Sequence, residues 1–235
     1  MTEETQNYKS GKLSVRPIFV QPAHDISRGY AFGKCTIEAA IAAIRDGKIA
    51  LVTDDENWEN EGDLIIAAEK STADTIRFIV RYSSGVLCVS VENDRLEELN
   101  IPPMVLNNED PKQTAYTVSV DYKHGIPTGI SSADRAAAFR GLADPKSIAS
   151  DFQRSGHVFP LRYRTGGVIS CGGYTEASLD LAPLAGLQPA GAEVVNDDGH
   201  VMRLFGSKAM ALEHGLVITS VQDIIAYRLE TEKNI

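Results

Sequence analysis

At 235 residues and 43% apolar composition, the chain is long enough and hydrophobic enough to bury a substantial core of its own. Thirty-two acidic against 23 basic residues give a net charge of -9, with no basic block and no interleaved basic and aromatic residues, which argues against nucleic acid and anionic membrane as partners. Cys35, Cys88 and Cys171 are too few and too scattered for a disulfide framework or a paired-cysteine zinc site; with no apolar run near the roughly 20 residues of a membrane span and no signal-like start, a reducing cytoplasm is expected.

Residues 1–33 are polar and punctuated by Pro and Gly, and read as an arm ahead of a single domain over 34–235. TIEAAIAAIRDGK then carries apolar residues at helical spacing from a Thr36 cap to Gly47, and KIALVTDD follows as a short apolar strand. STADTIRFIVRYSSG repeats the pattern, with Ser71 and Asp74 at capping-box spacing, before the buried strand VLCVSV. TAYTVSVD reads as a strand and SSADRAAAFRGLAD as a helix opened by Ser131 or Ser132. HVFPLRYR (strand), TEASLDLAPLAGL (helix), GAEVVND (strand), GSKAMALEHG (helix), LVITSV (strand) and SVQDIIAYRLETEKN (helix) complete the series. This alternation predicts an α/β (α+β) fold: one layered domain with a mixed, largely buried sheet flanked by helices. The chain has no internal repeat, phosphate-binding P-loop or dinucleotide fingerprint.

Residues 54–63, DDENWENEGD, put six carboxylates in ten positions around the only tryptophan. They follow an apolar strand, where α/β sheets collect ligand sites, yet acidic runs bounded by Asn and Gly are also ordinary solvated loops. In an extended segment Glu59, Glu61 and Asp63 share one side, and like charges that close need a cation or a proton donor. An EF-hand register from Asn57 places Gly62 at position six, but the bidentate acid required at position twelve falls on Ala68, so calcium is excluded. A site with one or two carboxylates and several waters suits Mg²⁺ or Mn²⁺.

A second cluster, RSGHVFPLRYRTGGVISCGGYTEA over 154–177, offers the Arg154 guanidinium, a close-approach backbone at Gly156 and the His157 imidazole. Taken singly, each has an ordinary structural reading: a lone histidine before a strand is usually a satisfied loop residue, and Glu176 could simply complement a helix N-terminus. Thr128 and Gly129 ahead of SADR could present donors to an anion, or merely cap the helix. Arg162 and Arg164 fit a solvated strand face, and His124, His200 and His214 a surface or structural role.

With both clusters in view, the chain resembles the 3,4-dihydroxy-2-butanone 4-phosphate synthase family of the riboflavin pathway over about residues 36–229. The resemblance rests on DDENWENEGDLI, SSGVLCVSV, TAYTVSVD, TGISSADRAAAFR, RSGHVFPLR, GGYTEASLDLAPLAGL and VVNDDG, in the family's order. It implies conversion of ribulose 5-phosphate to a four-carbon ketone phosphate and formate, with Mg²⁺ or Mn²⁺, in a homodimer whose active sites lie near the interface. By motif, Glu59 and His157 would bind metal, and Glu61, Asp63, Glu176 and His157 would carry the catalysis. Trp58, Glu59, Asp63, Thr128, Arg154, Ser155, Gly156 and Tyr174 would surround the substrate.

The departures fall beside these motifs. Trp58 stands where the family has a substrate-contacting arginine, Tyr174 and Tyr82 where it has histidines, Cys171 where a basic residue is common, and Ala138 where threonine is common. Loss of an unreplaced cation facing a phosphorylated substrate costs about 2–5 kcal/mol, whereas Trp offers an apolar face suited to stacking. A repurposed relative that applies the same metal and enediol chemistry to an unphosphorylated or aromatic substrate is therefore the second reading. A catalytically silent binding or regulatory subunit is the third.

Overall fold

A computed structural model describes residues 29–53, 61–111, 113–125, 127–163, 166–170, 174–193, 195–196 and 199–232. Its frame is a six-stranded mixed sheet in the order β6-β3-β7-β2-β1-β8, with helices on both faces, and a separate two-stranded β4-β5 pair. The strands are β1 (Ala50–Thr53), β2 (Gly62–Ala67), β3 (Cys88–Val91), β4 (Val120–Tyr122), β5 (Phe152–Arg154), β6 (Phe159–Arg162), β7 (Pro189–Glu193) and β8 (Val217–Ser220). The helices are α1 (Lys34–Arg45), α2 (Ala73–Tyr82), α3 (Asn93–Glu98), α4 (Ser132–Ala143), α5 (Gly167–Ser170), α6 (Tyr174–Leu184), α7 (Leu204–His214) and α8 (Val221–Glu232).

Side chains alternate across each strand, so each central strand feeds two cores. Leu51, Leu64, Ile66, Val89 and Val91 pack with Ile76 and Ile79 of α2, Leu96 of α3, Phe139 of α4 and Met210 of α7. Ala50, Val52, Ile65 and Ala67 pack on the opposite face with Ile37 and Ile41 of α1, Leu181 of α6 and Ile224 of α8. The predicted layered α/β architecture is the one observed.

Some local details differ. α1 begins at Lys34 behind Gly33, and Thr36 is not the cap: its hydroxyl donates to Gly33 O at 2.7 Å. α2 is capped by Thr72 in a reciprocal box with Thr75, one residue after the predicted Ser71, which is buried and donates instead to Ala136 O. TAYTVSVD is only partly a ladder: β4 covers its end, while Tyr116, Thr117 and Val120 meet β6 and its approach through isolated bridges and the bond from Thr117 N to Pro160 O.

Two buried carboxylates tie distant segments together. Asp223 accepts from the backbone N–H groups of Ala31, Phe32 and Gly33 and from Ser220 Oγ, stapling the segment before α1 to the start of α8. Asp180 of α6 accepts from Arg228 Nη1 at 2.5 Å, Val168 N at 2.7 Å and the Tyr163 hydroxyl at 3.3 Å. Gly167, at φ 53°, lies so close that a Cβ there would stand 2.0 Å from Asp180 Oδ1.

Candidate active site

Gly62, Leu64 and Ile66 of β2 face the α2/α4 side, so Asp63 faces the α6 side with Ile65. Cys88 shares that face, because its neighbour Val89 belongs to the opposite core and because Cys88 and Ile65 both pair with Gly191 of β7. Burial first, and then the Asp63 charge, push the Cys88 thiol up to about 12. It is therefore a neutral thiol at physiological pH, and Asp63 a charge close enough for it to sense. α6 packs against β2 and β7, which puts Glu176, one turn before Asp180 on the same helix stripe, on the Asp63 side of the sheet.

The second group of residues is built around β4. His157 Nδ1 lies 2.8 Å from Asp121 Oδ2, and His157 N donates to Asp121 Oδ1 at 2.9 Å. Both bonds come from one residue to one buried carboxylate, which fixes the ring as the Nδ1–H tautomer and leaves the Nε2 lone pair without a partner among the described residues. Gly156 permits this approach: a Cβ there would fall 2.1 Å from Val120 C. Gly129, at φ +87°, presses on the same carboxylate from the other side, with a Cβ position 2.0 Å from Asp121 Oδ2. Gly129 N donates to Asp134 Oδ2, and Ser131 Oγ caps α4 through Asp134 N, so the TGISSADR turn wraps Asp121.

Arg154 is placed differently from a free anion-binding fork. Its guanidinium donates to Asn100 O at 2.8 Å, Ala149 O at 3.0 Å, Phe152 O at 3.1 Å and to Leu99 O, joining α3 to the turn before β5. Thr128 and Ser155 are exposed on the turns flanking Gly129 and Gly156, and Glu61 is half-buried at the entry to β2. Trp58 and Glu59 lie outside the described residues, as does Cys171; Tyr174 opens α6, but its side chain is not among those described. Of the remaining histidines, His124 pairs with Asp151 at 2.8 Å and His214 packs between Phe78 and Tyr82, both structural as expected.

The sheet register brings these groups to one end. Phe159 of β6 is level with Cys88 of β3, Cys88 with Gly191, and Gly191 with Ile65, so His157 and Asp63 each stand two residues before that common row. β6 and β2 are three strand spacings apart, about 14 Å. The Asp63 carboxylate stands at one side of that span and the seated His157 imidazole at the other. Asp121 escaped the sequence reading although it ends the quoted TAYTVSVD; a carboxylate closing an apolar strand was the available signal.

The model of the 3,4-dihydroxy-2-butanone 4-phosphate synthase family matches residues 38–227. The chain is 50% identical over 202 residues to the riboflavin biosynthesis protein RibBA of Salinispora arenicola, covering 85% of this chain and 48% of that one. It is likewise 50% identical over 204 residues to RibBA of Rhodococcus jostii, covering 85% and 49% respectively. The chain thus spans about half the length of the curated relatives it matches. Among solved structures, a 3,4-dihydroxy-2-butanone 4-phosphate synthase in complex with two magnesium ions superposes with a TM-score of 0.79 at 41% identity, over 85% of this chain and 99% of the other. The Candida albicans synthase gives a TM-score of 0.74 at 42% identity, over 81% and 96%. With the matched residues running from α1 into α8, this chain belongs to the 3,4-dihydroxy-2-butanone 4-phosphate synthase family.

Proposed function

We propose that the chain is a lyase converting ribulose 5-phosphate to 3,4-dihydroxy-2-butanone 4-phosphate and formate, with Mg²⁺ or Mn²⁺ as its metal. The observation that carries this reading is His157 seated on Asp121, its Nε2 unengaged among the described residues, level with Asp63 across the sheet end. Identity of 50% to proteins of riboflavin biosynthesis favours the pathway sugar phosphate over a repurposed substrate.

The donor set fits a hard divalent cation that retains waters: one neutral imidazole from His157, and a carboxylate from Glu59 in the segment outside the described residues. Held by those two residues, a divalent cation would supply Lewis-acid charge to a substrate with vicinal oxygens. The remaining work is proton transfer between adjacent carbons and departing hydroxyl groups, which we assign to Asp63, Glu61 and Glu176, with Asp63 and Glu176 on one side of the sheet as support. Asp121 keeps His157 in one tautomer, and the Cys88 thiol, neutral beside Asp63, adds no competing nucleophile. The conversion balances without a further reactant, since the five-carbon phosphate divides into the four-carbon phosphate and one formic acid.

A homodimer with sites near its interface belongs to the same proposal. Met104, Val105, fully exposed Leu106 and Ile130 place apolar side chains on the surface, Ile130 two residues after Thr128, as a covered face would require. No described helix is long and apolar enough to cross a membrane, which is compatible with a cytoplasmic setting. The test is incubation of the purified chain with ribulose 5-phosphate and Mg²⁺, with formate measured directly. Formate release abolished by chelation and by His157→Ala is expected; no formate with either metal at any pH would overturn the proposal.

A further inference from the structure

We infer that the outer stripe of α7 is the docking surface for an apolar run, residues 13–20, of this chain's own N-terminal arm. Those residues lie outside the described ones; the structure shows the surface and the point at which the arm joins the domain. α7 turns Ser207, Met210 and Ala211 toward the core. Helical spacing puts Phe205, Lys208, Ala209 and Leu212 on the opposite stripe, where Phe205 is 87% and Leu212 55% exposed. A helix that is apolar on both sides is normally covered on both, because a solvent face carries polar residues.

The arm joins the domain beside this stripe. Gly29 O accepts from Gln222 Nε2 at 2.8 Å, Asp223 holds the N–H groups of Ala31, Phe32 and Gly33, and the Lys208 ammonium stands 4.8 Å from the centre of the Phe32 ring. The densest apolar run upstream is LSVRPIFV, with Leu13, Val15, Ile18, Phe19 and Val20. From Val20 to Gly29 the chain can span about 30 Å when extended, whereas α7 is only about 16 Å long. Tethered in this way, the run meets the stripe at an effective concentration of roughly millimolar order, without the loss of translational freedom that a second molecule suffers. A second copy of the chain would suffer that loss and would bring another net charge of -9. The run precedes residues 38–227, those matched by the family model, so the contact does not follow from family membership. On its inner side α7 sets Ser207 Oγ 2.9 Å from the Cβ position of Gly62, so an arm seated on the outer side braces the end of β2 that carries Asp63. The docking itself does not depend on the chemistry proposed above.

The experiment uses the full chain with a benzophenone photo-crosslinker in place of the Phe205 side chain, in an equal mixture of ¹⁵N-labelled and unlabelled protein. Peptide mapping is expected to join position 205 to residues 13–20 within chains of one isotope. Cross-links between labelled and unlabelled chains would assign the stripe to a second copy, and cross-links to other parts of the domain alone, or none, would place the arm elsewhere; each overturns the inference. Amide hydrogen exchange supplies the second readout. Ile18→Asp with Phe19→Asp should speed exchange in α7 by about 10-fold or more, as exposing one covered aromatic side chain does, and leave α2 unchanged. Phe205→Glu with Leu212→Glu should have the same effect, and joining the two pairs should add little, since they act on one contact. Unchanged exchange in α7, or fully multiplicative effects of the two pairs, would overturn the inference. Should the α7 variant not fold, the arm variant decides by the same readout.

Discussion

Arg228 Nη1 and Asp180 Oδ2 meet at 2.5 Å with both side chains largely withdrawn from solvent, joining α8 to α6. The same guanidinium reaches Gly166 O at 3.1 Å, and the same carboxylate takes Val168 N. Removing one member leaves an uncompensated buried charge, which typically costs about 3–5 kcal/mol. Arg228→Met is therefore expected to lower unfolding stability by about that amount in urea titration. Asp180→Asn in the same background should cost clearly less than it does alone.

Gly156 has no room for a side chain, because its Cβ would occupy the backbone of Val120 and Asp121. Strand backbone cannot yield as a side-chain tip does, so Gly156→Ala should cost at least the about 1–3 kcal/mol of an overpacked core. It should also displace His157. A parallel drop in melting temperature and in Mn²⁺ affinity is the expected pair of results.

Arg154 donates to four backbone carbonyls in two separate stretches of chain, 99–100 and 149–152. Arg154→Ala is expected to destabilise the fold by about 1–3 kcal/mol, the range for charge-assisted bonds at an exposed residue. Arg154→Lys, without the planar fork, should restore less than half of that in denaturant unfolding.

Asp121→Asn preserves shape but offers His157 Nδ1 a donor as readily as an acceptor. The ring then turns to the other tautomer, and formate release should fall about 10–100-fold with little change in melting temperature. A simple loss of folding would instead appear as a lower melting temperature at unchanged specific activity of the surviving fraction.

Cys88 carries a pH signature. Its folded pKa, about 12, is raised from 9.0, so the folded state retains a proton that the unfolded chain releases. The stabilisation is complete below pH 9 and is lost as pH rises through about 12. Cys88→Ser should flatten this alkaline slope in pH-dependent unfolding. Asp63→Asn, by removing the second cause, should speed Cys88 modification by a thiol reagent at alkaline pH.

The regular elements were legible because each carries its own period: α7 and α8 follow GSKAMALEHG and SVQDIIAYRLETEKN closely, and Gly215, at φ 65°, ends α7 where the pattern stops. Short or irregular pieces were not: α3, β5 and the broken pairing of TAYTVSVD depend on partners far away in sequence. The site divides the same way. Asp63, Glu176 and His157 stood out by type and motif, whereas Asp121 became visible only when folding brought it to His157 from 36 residues away. Arg154 illustrates the converse, since nothing in RSGHVFPLR announces the carbonyls of Leu99 and Asn100 that its guanidinium meets.

The Asp223 staple has a consequence for the order in which the molecule is made. The N–H groups of residues 31–33 find their acceptor only at residue 223, some 190 positions later, and β1 likewise finds its parallel neighbour in β8. Local helices form early on the nascent chain, but α1 has no finished seat until β8 and Asp223 have been made. Closure of this fold thus waits on residues 217–223, and a truncation ahead of Asp223 would free the segment before α1 from its anchor.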